Sequence, residues 1–130
     1  MVKLILITHC DLGKALLETA SSICCCAKQD IAAFSVSGKV NLEELETKIK
    51  NSFTADGNLI LVDTFGGTSS NIALRCAADN DKVSVLCGVN LNMLLTALNN
   101  KDKLTLRDLS AKVTEDGKKA VLNATELIKK

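Results

Sequence analysis

His9 is the single histidine of this chain, and it closes the apolar run Val2-Lys3-Leu4-Ile5-Leu6-Ile7-Thr8. That run reads as a buried β-strand, and a helical pattern begins two residues beyond the histidine, near Asp11. An imidazole at the C-terminal tip of the first strand of an α/β protein stands where such folds bind their ligands. Imidazole is a nucleophile near neutral pH and can carry a transferable group on either ring nitrogen. The plainer alternative is a histidine in a surface loop. The residues that gather with His9 argue against it.

A second chemical segment follows the third apolar run: Asp63-Thr64-Phe65-Gly66-Gly67-Thr68-Ser69-Ser70-Asn71. Two glycines let the backbone approach a ligand closely, and hydroxyls at the start of a helix suit an anion, most naturally phosphate. Gly-Gly followed by Thr and Ser is also an ordinary strand-to-helix turn. Asp63 has a specific role open to it. A carboxylate bonded to one ring N–H fixes the histidine tautomer, aims the other nitrogen outward and stabilises the cation that develops when it attacks. A third segment, Cys87-Gly88-Val89-Asn90-Leu91-Asn92-Met93, places Gly88 at the end of the fourth apolar run. Asn90 is expected to cap the helix that follows. Neither G-x-x-x-x-G-K-[ST] nor G-x-G-x-x-G occurs, so nucleotide binding has no motif behind it.

These segments need elements to bring them together. Short apolar runs at 2–8, 31–36, 59–62 and 83–87 read as strands. Between them lie helical stripes: Leu12, Leu16, Ala20, Ile23 and Ala27; then Leu42, Leu45, Ile49 and Phe53, opened by Asn41 and Glu44 as a capping box. Ile72, Ala73, Cys76 and Ala77 mark a third helix, and Met93, Leu94, Ala97 and Leu98 a fourth. Thr105 and Asp108 open a last segment through Leu109, Val113, Val121, Ala124 and Ile128, weakened at Gly117. Strand–helix alternation predicts an α/β fold, a doubly wound and mainly parallel sheet with helices on both faces. Right-handed crossovers favour the order 2-1-3-4, which opens a crevice at the C-terminal ends of strands 1 and 3. His9 and Asp63 stand at those two ends.

Composition removes other classes. The chain has 130 residues, 47% hydrophobic and 24% charged, with a formal net charge of +1. One domain, 1–130, accounts for the length. The near-neutral charge gives no electrostatic reason to expect nucleic acid, and three phenylalanines offer no stacking platform. The N-terminal apolar run is too short to span a bilayer and lacks the order of a signal peptide, so a cytoplasmic protein is expected. Six cysteines include the consecutive Cys24, Cys25 and Cys26. On a helix these point about 100° apart and cannot all ligate one metal; packing in a reducing compartment is their expected role.

Together, Ile5-Leu6-Ile7-Thr8-His9, Asp63-Thr64-Phe65-Gly66-Gly67-Thr68 with Asn71, and Gly88-Val89-Asn90-Leu91-Asn92-Met93-Leu94 resemble the mannose-class enzyme IIA domains of the bacterial phosphoenolpyruvate-dependent sugar phosphotransferase system. The resemblance covers essentially the whole chain. It implies a phosphotransferase component that accepts a phosphoryl group on His9 from the histidine phosphocarrier protein and passes it to a IIB component. Asp63 would orient His9, while Gly66, Gly67, Thr68 and Gly88 would bind the phosphoryl oxygens. The resemblance implies no cofactor and no metal. It also implies a homodimer, no nucleic-acid partner, and only indirect membrane association through a permease complex.

The chain departs from the family pattern at Cys10, commonly glycine, at Thr68-Ser69, often Ser-Pro, and at Phe65, often tryptophan. No fifth apolar run follows, so the strand exchange of some members is not carried over. Two alternatives stay within reach of the same residues. One is a regulatory phospho-histidine binding module; the other is a IIA-like phosphoryl donor of a dihydroxyacetone kinase system. A redox or metal-binding cysteine protein on the same scaffold is a third, and Cys10 beside His9 is its candidate redox-sensitive thiol.

Overall fold

Alternation along the central strands decides the architecture. In β1 (Lys3–His9), Leu4 and Leu6 face one way and Ile5 and Ile7 the other, and all four are fully buried. A strand buried on both faces needs helices on both. The computed structural model, which describes residues 1–24 and 31–129, supplies them. After β1 come α1 (Leu12–Cys24), β2 (Ile31–Val36), α2 (Leu42–Asn51), β3 (Asn58–Val62), α3 (Thr68–Ala77) and β4 (Val83–Cys87). Helices α4 (Leu91–Asn100), α5 (Leu106–Lys119) and α6 (Ala124–Ile128) complete the order.

The sheet is parallel throughout and its order is β2-β1-β3-β4, as the crossover rules predict. Ile7 pairs with Val62 and His9 with Val36, so the ends of β1 and β3 lie side by side. One core packs Leu4, Leu6, Leu59 and Leu61 beneath Ala20, Met93, Leu94, Leu98, Leu109 and Val113. The other packs Ile5, Ile7, Ile60 and Val62 against Leu45, Ile49, Ile72 and Cys76. Each such aliphatic side chain contributes about 1.5–3 kcal/mol by leaving water, which is what fixes the register of the site-bearing strand ends.

The helix starts follow their side chains. Asn41 Oδ1 accepts from the N–H groups of Glu43 (3.0 Å) and Glu44 (3.2 Å), and Thr105 Oγ1 accepts from Asp108 N–H at 3.2 Å. Asn90 does what its position predicts: Oδ1 accepts from Met93 N–H at 2.9 Å.

Two expected stripes are corrected. In α1 the buried line runs through Gly13 and Ala20, with Leu16 and Cys24 packed beside it, while Leu12 and Ile23 are exposed. Gly13 N–H donates to the buried Thr8 Oγ1 at 2.8 Å, which turns the glycine inward and rotates the helix away from the leucine-based stripe. Ala27, Cys25 and Cys26 lie outside the described residues. The last segment is two helices, with Val121, Ala124 and Ile128 all exposed. The break falls after Lys119 and not at Gly117, and Asn123 Oδ1 then takes the Thr125 N–H at 3.1 Å to start α6. Gly117 is a packing residue: a Cβ there would lie 2.4 Å from Met93 Cγ, so α4 and α5 meet closely because it has none.

Candidate functional site

The strand ends bring His9 and Asp63 into direct contact. Asp63 Oδ2 lies 2.8 Å from His9 Nδ1 and accepts from the His9 backbone N–H at 2.8 Å. Its other oxygen, Oδ1, accepts from Thr64 N–H at 3.0 Å and from the Ser69 hydroxyl at 2.6 Å. Burial alone would push this carboxyl up, but the His9 N–H, the Ser69 hydroxyl and the His9 ring outweigh it and hold the pKa at about 2. An ionised carboxylate accepts only, so Nδ1 carries the ring proton. In the neutral imidazole the lone pair is then on Nε2. The His9 side chain is 47% exposed and that of Asp63 11%, so the imidazole faces solvent while its partner is sheltered.

Around the imidazole, Val36, Ser37, Gly38 and Thr68 line a cleft of about 270 Å³. Gly67 closes one side: a Cβ there would meet His9 Cε1 at 3.3 Å and Thr64 Cγ2 at 3.3 Å. Gly67 is also the N-cap of α3 and provides no side-chain cap bond. The first amides of α3 have no acceptor within the helix, which is the arrangement that attracts an anion.

The six residues singled out in the sequence divide into two groups. His9, Asp63, Gly67 and Thr68 come together. Gly66 and Gly88 shape the turns on the same sheet edge, with φ of +88° and +83° that favour glycine, and both have open space where a side chain would be. The Gly66 N–H is already committed to Ser70 Oγ at 2.9 Å, and Ser70 in turn donates to Gly67 O at 3.0 Å. Gly88 follows the Val62–Cys87 pair, and Val89 N–H donates to Val62 O at 3.0 Å beside it.

Three residues do work that sequence reasoning did not assign. Thr8 anchors the turn after β1 through Gly13, Ser70 braces the Gly66-Gly67 turn, and Ser69 holds Asp63. The hydroxyl-rich loop was the available signal, but a run of Thr-Ser-Ser does not say which hydroxyl points where. Cys10 explains its own oddity: its φ is +51°, a left-handed position that favours glycine. Among the other cysteines, Cys76 is buried, and that burial, with the Glu46 charge, pushes its thiol up to about 11. Burial also raises Cys87. Among the described residues no group of three or more His, Cys, Asp or Glu side chains comes together as a metal site. No described helix is long and apolar enough to cross a membrane.

A parallel doubly wound sheet with a carboxylate-held histidine at its switch point and a glycine-capped helix beside it defines a class of open α/β domains with their site at the C-terminal strand ends. Within that class the chain belongs to the mannose-type IIA family of the phosphotransferase system, since the model for "PTS system fructose IIA component" matches residues 3–114. It is 33% identical over 112 residues to the fructose-specific EIIA component of Bacillus subtilis, spanning 84% of this chain and 77% of that protein. It is also 33% identical over 81 residues to the mannose-specific EIIAB component of Escherichia coli K12, spanning 62% of this chain but 25% of that longer protein. Among solved structures, the mannose/sorbose-specific IIA subunit of Enterococcus faecalis superposes with a TM-score of 0.81 at 26% identity, over 93% of this chain and 92% of that one. The EIIA component of Streptococcus agalactiae shares the fold at a TM-score of 0.88 and 19% identity, over 97% of this chain and 99% of that one.

Proposed function

We propose that this chain, acting as one IIA domain over residues 1–130, carries a phosphoryl group on Nε2 of His9. The group comes from the phosphohistidine of the histidine phosphocarrier protein and leaves to a IIB component. The observation that carries the reading is the 2.8 Å contact from Asp63 Oδ2 to Nδ1, which leaves Nε2 as the outward nitrogen.

The lone pair of Nε2 forms the new N–P bond as the donor's N–P bond breaks and its electron pair returns to the donor imidazole. Nδ1 keeps its proton throughout, and the Asp63 carboxylate stabilises the positive ring that results. Such a transfer asks the protein mainly to position groups and to stabilise charge on the equatorial oxygens. In this reading the backbone N–H groups of Gly67 and Thr68 and the Thr68 hydroxyl supply those donors, a role supported by the nearness of both residues to the imidazole. Gly66 and Gly88 contribute by holding the turns of that sheet edge in left-handed conformations. As proposed, the step uses neither metal nor cofactor.

Family membership also supports a homodimer and an indirect membrane association through a permease complex. Incubation with phosphoenolpyruvate, enzyme I and the phosphocarrier should add one acid-labile phosphate by intact mass, and none to His9→Ala. A chain that stays unmodified beside a phosphorylated, matched carrier would refute the proposal.

A further inference from the structure

We propose that Ser69 is a positioning residue for the His9–Asp63 pair, its hydroxyl locking the rotation of the carboxylate so that Oδ2 stays on the imidazole. The kinetic part of this inference rests on the phosphocarrier reading; the geometric part stands without it.

Ser69 is fully buried in the first turn of α3. A serine near a helix end ordinarily bonds a nearby backbone group, and its neighbour Ser70 does so with Gly67 O at 3.0 Å. Ser69 instead reaches back to Asp63 Oδ1 at 2.6 Å, the short distance of a charge-assisted O–H···O⁻ bond. The other donor to Oδ1, Thr64 N–H, belongs to the adjoining residue and moves with Asp63. Ser69 is therefore the contact that ties Oδ1 to a separate, packed element, as the His9 backbone N–H ties Oδ2 to β1. The helix itself is held by Ile72, Ala73 and Cys76 in the second core. The chain of restraint runs from that core through α3 and Ser69 to Asp63, and from Asp63 to the ring and backbone of His9. Without the hydroxyl, Oδ1 keeps only a local partner. The carboxylate is then held from outside its own turn only by the His9 backbone N–H on Oδ2, about which it can turn. The ring is freer to take the Nε2–H tautomer, which has no lone pair on the reacting nitrogen.

The test uses the full chain with ¹⁵N-labelled imidazole, comparing wild type, Ser69→Ala and Ser69→Thr at pH 8. Wild type and Ser69→Thr should hold His9 as the Nδ1–H tautomer, and Ser69→Ala should show a mixture with a raised Nε2–H share. In single-turnover transfer from phosphorylated carrier, Ser69→Ala should lose about tenfold in maximal rate with an unchanged half-saturating carrier concentration, and Ser69→Thr should recover it. An unchanged tautomer in folded Ser69→Ala overturns the inference whatever the rate does. If wild type accepts no phosphate, the phosphocarrier reading has failed and the tautomer comparison still decides this one. If Ser69→Ala does not fold, the wild-type hydroxyl proton decides. It should appear as a slowly exchanging downfield resonance coupled to the Asp63 carboxyl carbon, and its absence would overturn the assignment.

Discussion

One oxygen of Asp63 holds His9 at two points, accepting from the backbone N–H and lying against ring Nδ1, each at 2.8 Å. Backbone and side chain of the histidine are thereby referenced to the same atom. The ring cannot swing away from β3 without giving up a charge-assisted bond. Removing that charge while keeping the shape is the sharpest way to disturb the site. Asp63→Asn should leave the far-ultraviolet dichroism intact and slow phosphotransfer to His9 by about 10²–10⁴-fold. Single-turnover kinetics with phosphorylated carrier would read it, and a loss under threefold would deny the carboxylate its role.

The same carboxylate gives the fold an acid limit. Its pKa lies at about 2 in the folded chain against an ordinary 3.8. A depressed value means the stabilisation is complete above 3.8 and is lost as pH falls from there through about 2. With the side chain 11% exposed, the contribution is at most about 2 kcal/mol. Urea denaturation between pH 2 and 6 should show this slope in wild type. Asp63→Asn should lack it, and parallel pH curves for the two proteins would contradict the assignment.

Cys10 holds a left-handed φ of +51° immediately after His9. Placing a Cβ there costs about 1–2 kcal/mol, partly offset by the entropy glycine loses on folding. Cys10→Gly should therefore raise stability by about 0.5–1 kcal/mol, and Cys10→Val should lower it by about 1–2 kcal/mol because branching worsens the strain. Equilibrium denaturation of the three proteins checks both signs.

Gly117 reverses the usual helix rule. On propensity alone Gly117→Ala would gain about 1 kcal/mol. The new Cβ would stand 2.4 Å from Met93 Cγ and 2.9 Å from its Sδ, so overpacking of about 1–3 kcal/mol wins and the net effect should be a loss. In a Met93→Ala background the clash is gone, and Gly117→Ala should become neutral or favourable. A double-mutant cycle without coupling would show that the α4–α5 contact is looser than described.

How much of this was legible in the sequence depends on what each feature rests on. Strand order followed from chain connectivity and handedness, which are general, and it placed His9 beside Asp63 before any coordinates. The caps at Asn41, Asn90 and Thr105 were legible because each acts within three residues of itself. What escaped is non-local. Leu12 fits a helical stripe as well as Gly13 does, and only the Thr8 contact decides which one faces inward. Gly117 reads as a weak point until Met93 is brought against it from another helix. The hydroxyls of residues 68–70 look interchangeable in sequence. One braces a turn, one grips a carboxylate, and Thr68 alone lines the cleft. Val121, Ala124 and Ile128 continue the period of α5 but lie beyond its end at Lys119, and all three are exposed.

The central claim concerns a single nitrogen. The most direct measurement is ¹⁵N–³¹P correlation on the phosphorylated chain labelled in its histidine, which reports which ring atom bears the phosphorus. Coupling to Nε2 of His9, with Nδ1 still protonated, is the predicted result. Phosphorus on Nδ1, or on any residue other than His9, would contradict the account, since Asp63 then could not be holding the nitrogen that its geometry says it holds.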